Sequence, residues 1–204
     1  MKVSLLTEQD WPEWDRFIKA HPNSSLYHTL EWKNILEATF GYKARFLVVS
    51  SGPNIIDVLP LFLVTLLGLG KKLICIPQSG SYSAFLSDNI IAHNLLVEAA
   101  VKMAKTEGVK YLEIRSNAPS NELIQHNFLE RHPFYFPHLE LLDVSTNKKL
   151  LSNAHKRNVA KAKKNGVVVE LSQNKSDLKT FYSMLEEMYR DYGTPIYKYS
   201  YING

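Results

Sequence analysis

Apolar side chains recur along this chain at helical spacing near the N-terminus, in alternation over residues 44–76, and at helical spacing again beyond residue 89. Residues 2–6 predict a short strand. Thr7 is placed to cap a helix that opens Glu8-Gln9-Asp10 and carries Trp11, Trp14, Phe17 and Ile18 on one side, and His21-Pro22 ends it. A second helix is predicted over 30–40, with Trp32, Ile35, Leu36 and Thr39 at core spacing and Gly41 as its stop. Three strands follow, at 44–50, 55–66 and 72–76, joined by short turns such as Ser51-Gly52-Pro53-Asn54. After a loop of small polar residues, 77–88, Asn89 caps a long helix that runs to Glu107 and stops at Gly108. Residues 110–115 predict a strand, Pro119 or Ser120 opens a short helix to Phe128, and 134–144 predict a last strand. The order is β-α-α-β-β-β-α-β-α-β.

Beyond residue 145 the pattern restarts. Residues 145–166 form a basic helical stretch with seven Lys or Arg side chains and no acid. A strand is predicted over 167–171, then a helix over 175–192 that Gly193 terminates. The apolar face of that helix, Leu178, Phe181, Leu185 and Met188, has no evident partner in the first domain. A helix pair and one strand cannot enclose a core. The expected organisation is therefore a domain over 1–145 and the start of a second over 146–204, the sequence being a fragment truncated within that domain or the remainder coming from elsewhere.

Composition narrows the class. With 204 residues, 45% of them hydrophobic, and a formal charge of +4, the chain can bury one generous core or one domain plus part of another, and it is no disordered polyelectrolyte. The N-terminus lacks the apolar stretch of a signal peptide, and the single cysteine, Cys75, cannot form an internal disulfide. Both features point to the cytoplasm. The longest apolar tract, 55–69, is interrupted by Asp57 and Pro60 and is shorter than the roughly 20 residues a bilayer span needs. It reads as a buried strand and turn.

Candidate chemistry is concentrated in the basic stretch. Arg157, Lys161 and Lys164, at i, i+4 and i+7, form one stripe, either a solvated face or a grip on phosphates whose affinity would fall steeply with salt. Gly68-Leu69-Gly70-Lys71-Lys72 has the composition of a phosphate loop, but it lies between strands and lacks a following helix N-terminus, so a hairpin turn is expected. His126, His132 and His138 are spaced six apart, which fits neither one helix face nor a usual zinc pattern, and no metal is expected. His28 either meets a ligand or bonds backbone. The three tryptophans read as core, and Cys75, between two isoleucines, as buried and inert.

Six stretches together resemble a known family: TLEWKNILEATFGYKARFLVV from Thr29, LPLFLV from Leu59, GKKLICIP from Gly70, GVKYLEIR from Gly108, HKRNVAKAKKNGVVV from His155 and YRDYGTPIYKYSY from Tyr189. The chain is similar throughout to the FemAB-like proteins, tandem GNAT-like transferases that include the FemX enzymes acting on cell-wall precursors. The most specific pieces are Trp32 with Gly41-Tyr42, the basic helix ending Gly166-Val167, and Gly193-Thr194-Pro195 with Tyr201. The resemblance implies an α/β (α+β) fold of GNAT-like type, a mixed central sheet flanked by helices, with the beginning of a second such domain. It also implies transfer of an acyl group to an amine, with aminoacyl-tRNA, or less readily acyl-CoA, as co-substrate and no bound cofactor. No Arg-x-x-Gly-x-Gly/Ala loop, the coenzyme A signature of simple GNAT enzymes, is present. Implied partners are an anionic acceptor or tRNA and a peripheral membrane surface, but not DNA. The implied lining is 77–88 with Arg157, Lys161, Lys164, Tyr197 and Tyr201, in a groove between the domains. Tyr201 is retained from the family, whereas Leu36 and Tyr197 stand where it carries a phosphate-gripping lysine and arginine. The alternative is a non-catalytic module that docks on an anionic glycan or membrane surface.

Overall fold

The computed structural model describes residues 1–66, 68–77, 82–116, 121–131 and 140–203. Its internal contacts divide the chain into two units: residues 1–131 with Ser200–Ile202, and residues 140–199 with Asn203.

In the first unit, strand β1 (Lys2–Leu5) leads into helix α1 (Trp11–Ala20) through a reciprocal cap in which Thr7 N and Thr7 Oγ1 both donate to Asp10 Oδ2, at 2.8 and 2.7 Å. Helix α2 (Leu30–Phe40) starts where Thr29 Oγ1 accepts from Trp32 N, and it ends at Gly41, whose φ of +67° favours glycine. Among the described residues, seven strands build two sheets in this unit: after β1 come β2 (Lys43–Ala44), β3 (Leu47–Ser51), β4 (Asn54–Leu59), β5 (Phe62–Leu66), β6 (Gly70–Ile74) and β7 (Tyr111–Glu113). Helix α3 (Ile90–Glu107), capped by Asn89 and closed by Gly108, connects β6 to β7, and the short α4 (Asn121–Gln125) follows.

The sequence predicts two unbroken strands over 44–50 and 55–66, and each is bent into two. Pro60 has no N–H to continue a ladder, so β4 stops before it and β5 resumes after Leu61. Across the bend Arg45 N donates to Leu61 O at 2.7 Å. The strands thus order as β1-β3-β4 and β2-β5-β6-β7, antiparallel throughout except for the parallel pair β6 and β7 that the α3 crossover allows.

Alternation along these strands feeds two cores, one on each face of the sheet. Val48, Val58, Phe62, Val64 and Ile74 pack with Trp14, Ile18, Trp32 and Leu36 of α1 and α2. Leu47, Val49, Leu59, Leu61, Leu63 and Leu73 pack with Ala92, Leu96 and Ala100 of α3. Leu36, Leu59 and Phe62 are fully buried, and each such side chain contributes roughly 1.5–3 kcal/mol. This is the mixed α/β, GNAT-like class expected from the order of elements.

The second unit is helical. The single basic helix expected over 145–166 is two helices, α5 (Val144–Leu150), capped by Asp143, and α6 (Asn153–Lys164), where Ser152 Oγ accepts from His155 N. The strand expected over 134–144 lies outside the described residues up to 139; from 140 to 143 none forms, because Asp143 turns the chain into α5 by accepting from Ser145 N and Thr146 N. Nor does a strand form over 167–171: a β-branched run becomes a strand only beside a partner edge, and none pairs with it among the described residues. Helix α7 (Lys175–Asp191) follows, then Gly193 at φ +65° and α8 (Tyr199–Asn203). No described residue from 140 to 199 is buried, and Phe181 and Met184 of α7 are 51% and 66% exposed. Among the described residues, no helix is long and apolar enough to cross a membrane.

Candidate substrate-binding site

In the first unit, the residues that carry the family resemblance converge. Tyr201 lies 6.2 Å from Trp32 and 5.2 Å from Phe40, ring to ring, and Phe40 stacks on Tyr42 at 5.2 Å. Tyr27 meets Trp32 edge-on at 5.4 Å. The indole N–H of Trp32 is buried without a hydrogen-bond partner among the described residues. Leu36, standing where the family carries a cation, is fully buried in the core behind Trp32. The neighbouring cation, Lys33, is neutralised: its ammonium pairs with Glu37 at 2.8 Å and lies 5.5 Å above the Trp11 ring.

In the second unit, α6 carries its charge on one side. At 3.6 residues per turn, Lys156, Arg157, Lys161, Lys163 and Lys164 fall within an arc of about 160°; all are exposed, whereas Ala162 on the other side is half-buried. None has an acidic partner among the described residues. The expected stripe of Arg157, Lys161 and Lys164 is thus part of a wider unneutralised face. Tyr197 is half-buried in the same unit, and its carbonyl accepts from Tyr182 Oη at 2.7 Å.

Of the expected lining loop, 78–81 lies outside the described residues. The part that follows is pinned by groups that sequence reasoning passed over. Asp57, read only as an interruption of an apolar tract, is fully buried, and its Oδ1 accepts from the backbone N–H groups of Val58, Leu86 and Ser87 at 2.9 to 3.1 Å. A lone acid in an otherwise apolar strand was the signal available. His28, for which a ligand and a backbone partner were both open, bonds backbone: Nε2 lies 3.3 Å from Ala84 O. Burial pushes the Cys75 thiol up to about 12, so it is held protonated. Gly68 and Gly70 sit in the β5–β6 hairpin at positive φ, not in a phosphate loop. His132 and His138 lie outside the described residues, and among the described residues no cluster of His, Cys, Asp or Glu is placed to hold a metal.

No protein-family model matches the sequence, and no curated protein sequence matches it. Among solved structures the chain is similar to FemX, with a TM-score of 0.71 and 21% identity over 99% of this chain. It spans about half of that protein, 53% of its length. It is also similar to a ribosomal-protein-alanine N-acetyltransferase from Brucella melitensis biovar Abortus 2308, with a TM-score of 0.45 and 10% identity over 69% of this chain and 100% of that one. A probable acetyltransferase gives a TM-score of 0.43 and 11% identity over 70% of this chain and 99% of that one. At 21% identity the likeness to FemX is one of architecture: this chain has the FemX fold.

Proposed function

We propose that the chain belongs to a FemAB-like transferase that moves an aminoacyl group from tRNA, or less readily an acyl group from coenzyme A, onto an amine of a cell-wall or cell-surface precursor in the cytoplasm. The observation that carries this reading is the FemX fold over 99% of the chain. Two features support it: the meeting of Trp32, Tyr42 and Tyr201 around Phe40, and the unneutralised cations of α6.

The chemistry needs an amine that has lost its proton, a carbonyl to attack, and donors for the oxyanion that develops. No side chain is assigned as base. Arg157, Lys161 and Lys164 hold phosphates of the donor or the anionic acceptor, and Tyr197 and Tyr201 line the acceptor. With Leu36 buried and Lys33 paired to Glu37, phosphate binding falls to α6. The test is to incubate the full-length protein with charged tRNA and with acyl-CoA separately, alongside candidate amines, and to follow which donor is consumed. Consumption of charged tRNA supports the reading. If neither donor is consumed while anionic glycans or anionic vesicles still bind, the chain is the non-catalytic module instead.

A further inference from the structure

Within the first unit, the segment from Ser83 to Ser87 is tied down residue by residue. Ser83 N donates to Arg115 O and its Oγ to Cys75 O, at 3.3 and 3.4 Å. Leu86 N and Ser87 N donate to Asp57 Oδ1 of β4. Ser87 O receives His93 Nε2 of α3 at 2.6 Å, and Phe85 stacks on the His93 ring at 4.4 Å. Asp57 Oδ2 lies 3.2 Å from the same Nε2 yet has no hydrogen bond, because that N–H is taken by Ser87 O. The remaining tie is His28 to Ala84 O.

The partners of His28 fix its ring. Its Nδ1 lies 3.2 Å from Ser25 N and 3.0 Å from Ser25 Oγ. A backbone N–H only donates, so Nδ1 must hold a lone pair. Ala84 O only accepts, so the proton must be on Nε2. The ring is therefore neutral, and a second proton on Nδ1 would face the Ser25 N–H. With 1% of the residue exposed, water cannot solvate the cation. Burial is the main cause holding the His28 pKa below the ordinary histidine value; the bond to Ala84 O opposes it, nearby His21 adds repulsion, and Asp57 pulls the other way. The titratable groups facing this site are thus His21 after α1, Asp57 from β4 and, across Asp57, His93 from α3.

We propose that His28 is a proton-operated clasp: a second proton on its ring breaks the Ser25 and Ala84 contacts together and lets residues 84–87, with the core side chains of Ala84 and Leu86, lift from β4 while the rest of both cores stays folded. The sign follows from linkage. Lifting the segment returns His28 to water and to an ordinary pKa near 6.5, so opening takes up a proton and is favoured as pH falls below that value, by at most about 30-fold at pH 5. Because it concerns the opening of a segment and not turnover, the clasp stands or falls independently of the proposed transferase activity.

Native-state hydrogen exchange on the full chain reads this directly at the Leu86 and Ser87 amides, with Val64 of β5 and Leu96 of α3 as core references and all rates divided by their intrinsic values. Between pH 7.5 and pH 5, protection at Leu86 and Ser87 should fall by up to about 30-fold while staying below that of Val64 and Leu96 throughout, as opening of the segment without global unfolding requires. His28→Gln keeps a donor for Ala84 O but cannot titrate, and should remove the pH dependence; His93→Gln should leave it in place. Protection that stays flat with pH, or a dependence that survives in His28→Gln, overturns the proposal. If His28→Gln fails to fold, the imidazole NMR signals of the unmodified protein decide. A ring held as the neutral Nε2–H form well below pH 6 supports the clasp, and one that titrates at the ordinary value with unchanged protection refutes it.

Discussion

The ring of Tyr201 meets that of Trp32 at 6.2 Å and an angle of 67°, which ties Tyr201 to helix α2. Tyr201 also packs on Phe40 and joins the core built on Trp14, Leu36 and Phe62. Removing its ring should therefore cost fold stability as well as any contact with substrate. Tyr201→Ala should lower the unfolding free energy by about 1–3 kcal/mol, and Tyr201→Phe should retain most of it, as read from urea midpoints. Equal losses in the two variants would mean that the hydroxyl matters more than the packing.

Asp57 offers a sharper stability test. Asp57→Ala leaves two buried backbone N–H groups and one half-buried one without their acceptor, each buried one costing on the order of 1–3 kcal/mol. A loss of more than about 3 kcal/mol is expected. Asp57→Asn keeps an acceptor at Oδ1 and should cost clearly less. Similar midpoints for both variants would contradict the hydrogen-bond account.

Cys75 should not react with thiol reagents in the native state. Its pKa, raised to about 12 by burial, lies far above pH 8, so the thiolate fraction there is negligible. Labelling at pH 8 should appear only on addition of denaturant, and rapid labelling of the folded protein would show that the site opens locally.

The cations of α6 are exposed and have no acidic partner among the described residues, so Arg157 and Lys161 can be reversed without harming the fold. Arg157→Glu with Lys161→Glu should abolish binding of tRNA or a phosphorylated acceptor and leave the melting temperature within about 2 °C, since surface changes of this kind shift stability by less than ~0.5 kcal/mol. For the unmodified protein, log affinity should fall linearly with log salt, with a slope of about −0.7 to −0.9 per phosphate engaged. Unchanged affinity of the double variant at low salt removes α6 from the binding site.

How legible all this was in the sequence depends on whether a feature is local. Helices α1 and α3 announce themselves through Thr7 and Asn89 at their starts, α2 and α3 through Gly41 and Gly108 at their ends, and the alternation of 61–64 gives both faces of the sheet. The bends at Arg45 and Pro60 were less visible, because a proline marks where a ladder stops without saying that it resumes. Residues 167–171 have the composition of a strand, but pairing is not a local property. The same holds for Asp57 and His28: each carried a weak sign of burial, yet their shared partner, the backbone of 84–87, becomes apparent only when distant stretches of chain come together. The cation stripe was legible in part, as Arg157, Lys161 and Lys164, and its full width emerged once Ser152 fixed where α6 begins.

Acyl transfer is read directly in the mass of the acceptor. The full-length protein, given tRNA charged with an isotopically labelled amino acid and a pool of cell-wall precursor amines, should yield an acceptor heavier by one labelled aminoacyl residue, with tRNA discharged in equal amount. Discharge at the uncatalysed rate, with no labelled acceptor from either charged tRNA or acyl-CoA, would contradict the account.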